Sequence, residues 1–242
     1  MTQRLAWGAT ALLMTMGLAS ARSTGPNGRF TGAPGDNPLA CTQCHTGTAL
    51  NAGMGSLRIV FPGGGQYQAG ATYRLKVEVR DPEQQRRGFQ LTARLASAPA
   101  TAQAGDLQSA SSFTRAICQD GTNKPCTDTN PIQIIMHTAE GTRNGTPNGA
   151  DFEFDWVAPS AGSGQVTFYA AGNAANGTGT NQGDRIYTTN LSIDEAPPRP
   201  SLAVPPTPYQ VRHLVSDLSG WADRVDPNLK KPWGISMSAT SP

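Results

Sequence analysis

Charge is scarce in this chain. Of its 242 residues only 15% are Asp, Glu, Lys or Arg and 7% are aromatic, and it has four cysteines and three histidines. So few charges set against 27 glycines and 19 prolines argue against a bundle of long solvated helices and for many turns and short strands. The formal net charge is +2 and the basic residues are scattered, so the positive footprint of a nucleic-acid binder is missing. No Ser-His-Asp order, nucleotide-binding loop or metalloprotease helix motif occurs, which leaves hydrolase chemistry without a candidate. Past the N-terminus no hydrophobic run approaches the roughly 20 residues that span a bilayer. Hydrophobic residues at 37% support one modest core, in a domain of roughly 150 residues plus appendages.

The N-terminus holds the one apolar run. Arg4 precedes an uncharged stretch from Leu5 to Leu18, and Ala19-Ser20-Ala21 forms a small-x-small cleavage site before Arg22. This is the pattern of a Sec-type signal peptide over residues 1–21. Cleavage removes one of the 19 bases, Arg4, leaving 18 against 17 acids. The mature chain is expected to be secreted, periplasmic or at the cell surface, without a transmembrane segment.

Export governs how the cysteines read, because an oxidising compartment favours disulfides. Cys118 and Cys126 enclose a polar loop with a turn signal at Asp120-Gly121, and a structural disulfide closing that excursion is expected. The other pair lies in Cys41-Thr42-Gln43-Cys44-His45, the C-x-x-C-H pattern of c-type haem attachment. Two thiols this close add to the two vinyl groups of one porphyrin, and the adjoining His45 is held under the iron as proximal ligand. One covalent haem c is therefore the expected cofactor. Three other readings stay open: a small Cys41–Cys44 disulfide, a zinc site shared with the distant cysteines, and a thioredoxin-like redox pair. Zinc would want Cys118 and Cys126 closer together, and the redox motif wants a strand before and a helix after it. Turn-rich sequence flanks Cys41 on both sides.

Between residues 55 and 194 the pattern is that of strands. Tyr73–Val79 alternates apolar and charged residues at period two, as a strand with one wet face should. Leu57–Phe61, Phe89–Leu95, Ile132–Met136, Phe152–Val157, Val166–Ala170 and Ile186–Ile193 complete seven short strands. The fold class expected is all-β, an antiparallel immunoglobulin-like sandwich, carrying an N-terminal haem-binding leader over 22–54. Asp151, Glu153 and Asp155 share one strand face and Asp184 follows an Asn- and Gly-rich loop; a solvated face or a Ca²⁺ site are the two readings.

Several segments together resemble a known family. Thr31-Gly32-Ala33-Pro34-Gly35 leading into the C-x-x-C-H, Met136-His137-Thr138, Trp156-Val157-Ala158-Pro159, and the stretch from Val166-Thr167-Phe168-Tyr169-Ala170 through Asn173-Ala174-Ala175-Asn176-Gly177 to Gly183-Asp184 are similar to bacterial exported proteins with a Reeler-like β-sandwich, the choice-of-anchor V domain. The resemblance covers about residues 30–194 and implies an extracytoplasmic sandwich with an N-terminal C-x-x-C-H, but no particular biochemical activity. In the tail, Leu214-Val215-Ser216-Asp217-Leu218-Ser219-Gly220, Asp226-Pro227-Asn228-Leu229 and Lys231-Pro232-Trp233-Gly234-Ile235-Ser236 are similar to the opening of an exported β-propeller family. Closing a propeller takes at least four blades of about 40 residues, so 209–242 is expected to be the start of a truncated propeller-like region. An unrelated polar tail is the other reading. A Pro-rich linker, 195–208, joins it to the sandwich.

With haem bound, the sixth iron position decides the chemistry. His137 is the first candidate, because it follows the apolar run Ile132–Met136 and can project from a strand end toward the leader; a structural, hydrogen-bonded His is the other role. A second neutral imidazole makes a low-potential bis-His carrier. Met54 and Met136 are thioether alternatives, and His213 ranks below His137. The resulting expectation is an exported monohaem c-type electron-transfer protein, not an enzyme, with a redox protein as partner. The alternatives are a non-enzymatic surface binding or adhesion module with a Cys41–Cys44 disulfide, and an open haem site that binds small ligands or acts as a peroxidase.

Overall fold

A computed structural model describes residues 22–197, 215–216, 224–226 and 228. The expected signal peptide and nearly all of the linker and propeller-like tail lie outside the described residues. The chain divides into two compact units, Met1–Pro198 and Arg199–Pro242. In the second, Val215–Ser216 pairs in parallel with Arg224–Val225.

Among the described residues ten strands build the first unit: β1 Ser56–Val60, β2 Gln66–Tyr67, β3 Thr72–Arg80, β4 Arg86–Leu95, β5 Asp106–Ser109, β6 Thr114–Cys118, β7 Gln133–His137, β8 Gly149–Val157, β9 Val166–Ala175 and β10 Arg185–Glu195. They form a four-stranded sheet ordered β1-β3-β8-β5 and a six-stranded sheet ordered β2-β10-β9-β4-β7-β6. Every pairing is antiparallel except the short β2–β10 contact. The unit is an all-β sandwich.

Each of the seven expected strands is present, and β2, β5 and β6 are additional. Two of those are short and the third reads Thr-Arg-Ala-Ile-Cys, so none carries enough apolar alternation to stand out. β9 runs five residues past Ala170, through Gly172-Asn173. Neither residue favours a strand, but β4 and β10 flank this segment on both sides and bond it into the ladder.

The core lies between the sheets. Trp156 of β8 is fully buried, meets Tyr67 and Phe168 edge-on at centroid distances of 5.4 and 5.0 Å, and donates its indole N–H to the Ala104 carbonyl at 2.9 Å. Burial of each such side chain is worth about 1.5–3 kcal/mol. On the wet face of the smaller sheet, Asp155 pairs with Arg74, while Asp151 pairs with Lys76 and Arg80. Glu153 lies beside Arg74 at 3.7 Å. These carboxylates form a cross-strand charge ladder and do not converge as a Ca²⁺ site would require.

The six-stranded sheet has no wet face over β4. Residues 87–94 are buried on both sides. Phe89, Leu91 and Ala93 point into the core. Gly88, Gln90, Thr92 and Arg94 alternate to the outer face, and residues 22–54 bond Gln90 and Arg94 there. Gln90 accepts from the Phe30 N–H at 3.1 Å and donates to the Asn27 carbonyl at 2.8 Å. Arg94 pairs with Asp36 at 2.9 Å, both side chains essentially buried. The leader is thus a layer of the domain, docked by polar contacts.

Candidate functional site

The leader brings its C-x-x-C-H onto this outer face. Residues Ala40–Gln43 form a 3₁₀ turn, and the His45 N–H donates to the Cys41 carbonyl at 3.1 Å, so the motif is wound tightly on itself. The loop between β9 and β10 grips it. The Thr46 N–H donates to Asn181 O and the Gly183 N–H donates to Thr46 O, both at 2.9 Å, and the Asn181 side chain donates to the Cys44 carbonyl. Gly47 has φ +109°, and a Cβ there would lie 2.9 Å from the Gly183 nitrogen, so this close approach of loop to leader requires glycine.

A cavity of about 360 Å³ lies between leader and sheet. Cys41, Cys44 and His45 line it, and so do His137, Gly88, Phe89, Asn173 and Asp184, with Arg22 and Arg86 also in its wall. The volume is within the range of small-molecule and cofactor sites. All four haem-site residues singled out in the sequence, Cys41, Cys44, His45 and His137, therefore meet at one place, although more than 90 residues separate His45 from His137.

The register explains how the two imidazoles come together. Gly88 of β4 and Asn173 of β9 are direct cross-strand partners, on strands about 4.8 Å apart. His137 ends β7 and lays its ring on Gly88, where an added Cβ would come within 2.7 Å of the ring. His45 lies against Asn173, whose amide nitrogen is 3.2 Å from Nδ1 and 3.4 Å from Nε2. Met136 shares the outer face with its cross-strand partner Gln90, packs with Ile117 and Ile134 with its sulfur close to Gly25, and does not line the cavity. Met54 is 73% exposed and does not line the cavity. His213 lies outside the described residues.

Hydrogen bonds orient both rings. His45 Nδ1 is 2.6 Å from Oδ2 of Asp184, a fully buried side chain. A carboxylate only accepts, so Nδ1 carries the proton and the Nε2 lone pair faces the Asn173 amide nitrogen. The other oxygen, Oδ1, accepts from the Asn176 N–H at 3.1 Å. The Phe89 N–H donates to His137 Nδ1 at 3.0 Å, and the Phe89 carbonyl oxygen lies 3.2 Å from the same nitrogen; with Nδ1 accepting, the proton of the neutral ring sits on Nε2, and a ligand bond from Nε2 requires the other tautomer, with Nδ1–H turned to the carbonyl. Burial pushes the His137 pKa down to about 4, so the ring is neutral at ordinary pH.

Cys118 and Cys126 are joined in a disulfide with Cα atoms 5.5 Å apart. Cys41 and Cys44 are free thiols. Burial, then the neighbouring Cys44, pushes the Cys41 thiol up to about 12, opposite to the lowered value of thioredoxin-like cysteines, and among the described residues no strand precedes the motif and no α-helix follows it. With Cys118 and Cys126 bridged, a four-cysteine zinc site is ruled out. Among the described residues no three His, Cys, Asp or Glu side chains cluster closely enough to hold a bare metal ion. No described helix is long and apolar enough to cross a membrane.

Asn173 and Gly88 are site residues that sequence reasoning did not assign, and Asp184, read there as solvated or as a Ca²⁺ ligand, is instead buried against His45. Asp184 and Asn173 stand inside the stretch carrying the family resemblance, and their position beside the leader follows only from the pairing of β9 with β4 and β10.

No protein-family model matches the chain, and no curated protein matches it in sequence. Among solved structures, it is similar to the human F-spondin reeler domain at 22% identity, covering 62% of this chain and 94% of that one, with a TM-score of 0.37. An immunoglobulin-like protein from Nocardia farcinica is 15% identical over 56% of this chain and 97% of that one, with a TM-score of 0.31. The collagen-binding domain of a Staphylococcus aureus adhesin is 4% identical over 62% and 99%, with a TM-score of 0.29. The assignment of a sandwich stands on this chain's own sheet topology.

Proposed function

We propose that the chain is an exported monohaem c-type protein that carries single electrons. The observation that carries this reading is the convergence of Cys41, Cys44, His45 and His137 on one cavity. The residues fit a covalently held haem. Cys41 and Cys44 are unbridged, and each S–H can add across a vinyl double bond, sulfur to one carbon and hydrogen to the other, with no oxidant consumed. His45 would present Nε2 as proximal ligand once the Asn173 amide swings aside. That swing gives up the amide nitrogen's contact with the ring, while the Asn173 oxygen, buried without a partner, has no bond to lose.

A bound haem supplies one-electron exchange at its iron. The chain's residues set the conditions. His137, neutral and held on Gly88, would offer a second imidazole once its Nδ1–H turns to the Phe89 carbonyl. Arg22 and Arg86 in the cavity wall offer positive charge to carboxylate substituents. The layer of leader over sheet limits water at the site while leaving Cys44 exposed, so one edge stays open to a partner. Reeler-like membership in the choice-of-anchor V family, and a location outside the cytoplasm, belong to the same reading.

A pyridine haemochrome spectrum, taken after export alongside haem-attachment machinery, tests the proposal. Covalent haem that survives acid-acetone extraction is expected; a colourless protein of apo mass overturns it. His137→Ala should convert a six-coordinate low-spin spectrum to high spin and open a site for carbon monoxide in the reduced state. An unchanged spectrum makes His137 structural, and a parent already high spin favours the open-site chemistry.

The second reading is a non-enzymatic surface binding or adhesion module. The sandwich itself favours it, since this architecture presents loops at its ends to partners. A colourless protein would leave this reading standing.

A further inference from the structure

We infer that Asp184 is a positioning residue for the proximal ligand: it holds the His45 Nδ1–H in a buried charged hydrogen bond and so favours the oxidised form of the site. The inference rests on the haem reading above and deepens it by naming what sets the potential. Three observations carry it. The Nδ1–Oδ2 separation is 2.6 Å and the Asp184 side chain is fully buried, so the bond is charge-assisted and unscreened by water. Its second oxygen is held by the Asn176 N–H, which leaves the carboxylate no freedom to turn away. The loop that carries it is tied to the motif through Thr46, Asn181 and Gly183, so ring and carboxylate move as one body.

The physical consequence follows from charge. A carboxylate bonded to Nδ1–H pushes electron density into the imidazole and raises the basicity of Nε2. A more basic ligand stabilises the higher charge of ferric iron over ferrous, and a negative charge buried nearby acts in the same direction. Asn173, whose amide lies at the ring edge, has no charge to contribute. Asp184 is thus the one carboxylate bonded to either ring among the described residues, and it makes the two imidazoles inequivalent: His137 is anchored by backbone groups, at Phe89 and Arg22.

The test is the reduction potential of the haem-loaded protein beside Asp184→Asn, which nearly preserves shape and removes the charge. The expected result is a higher potential in D184N by at least the equivalent of a tenfold shift in the oxidation equilibrium, about 59 mV for a one-electron couple, with haem content and circular dichroism unchanged. In a His137→Ala background, the reduced iron–His45 stretching frequency should fall on adding D184N, a signature that a purely structural role would not produce. Should D184N fail to fold, the parent decides the matter: the diamagnetic reduced protein, labelled with ¹⁵N-histidine, should show a far-downfield, slowly exchanging His45 Nδ1–H. Equal potentials and equal stretching frequencies, or an Nδ1 proton that exchanges freely, overturn the inference while leaving covalent haem in place. A parent that carries no haem overturns the reading beneath it and the inference together.

Discussion

The two faces of strand β4 are built by opposite means. Inward, Phe89, Leu91 and Ala93 join an apolar core with Phe152, Trp156 and Phe168. Outward, Gly88, Gln90, Thr92 and Arg94 are equally buried, but by polar partners: Gln90 and Arg94 bond the leader, Thr92 bonds Arg94 and the Gln133 carbonyl, and Gly88 lies under the His137 ring. The inner face gains stability without direction, since apolar area is all it needs. The outer face gains little net stability from each polar contact, but its hydrogen bonds work only with the leader in one register, and that register places His45 beside Asn173. Position is therefore bought at the outer face and stability at the inner one.

The largest effect is expected where that difference is sharpest. Asp36→Ala leaves the fully buried Arg94 guanidinium unpaired, which should cost about 3–5 kcal/mol, release the leader to proteolysis and lose haem. Leu91→Ala on the inner face should cost a comparable 2–5 kcal/mol yet leave the leader docked up to the global unfolding transition. Urea melts paired with limited proteolysis of residues 22–54 separate the two; a leader equally protected in both variants would erase the distinction.

Acid should also act on the outer face. In protein carrying no haem, the depression of His137 from 6.5 to about 4 by burial means that folding favours the neutral ring. Its contribution is complete above pH 6.5 and is lost as pH falls from there toward 4, with a total of about 3 kcal/mol. His137→Gln should flatten that part of the stability–pH profile. An equal slope in both proteins assigns the acid sensitivity elsewhere.

The disulfide tests whether the margin of the six-stranded sheet needs a covalent clamp. Cys118 and Cys126 are eight residues apart, and a loop of that size predicts about 2.5 kcal/mol from constraining the unfolded chain. Replacing both by Ser should lower stability by that amount with the cavity unchanged, read by calorimetry and by haem content. The smallest effect is the most local. Gly88→Ala puts a methyl group against the His137 ring, which should cost about 1–3 kcal/mol and move the ring, giving a mixture of spin states in loaded protein. A single unchanged low-spin spectrum would show that His137 adapts.

Parts of this arrangement were legible before any coordinates. Period-two alternation marked β3 and β8 because one face of each meets water, and the C-x-x-C-H marked the leader because the two thiols and the imidazole lie within five residues. The spacing of Cys118 and Cys126 around a turn marked the disulfide, because closing a short loop is local geometry. β4 was harder. Its outer residues Gln90, Thr92 and Arg94 read as a solvated face, and nothing in their identity announces that another segment will cover them.

What the sequence determined by itself was therefore what depends on neighbours along the chain: strand periodicity, the attachment-type motif and the short disulfide loop. The tertiary structure alone decided that the leader lies flat on the outer sheet, that Gly88 and Asn173 fall side by side, and that Asp184 reaches His45 across 139 positions. The physical reason is that β-sheet register is set between strands distant in sequence. A site assembled by register leaves no local pattern, because each of its residues satisfies a partner that the chain reaches only after folding.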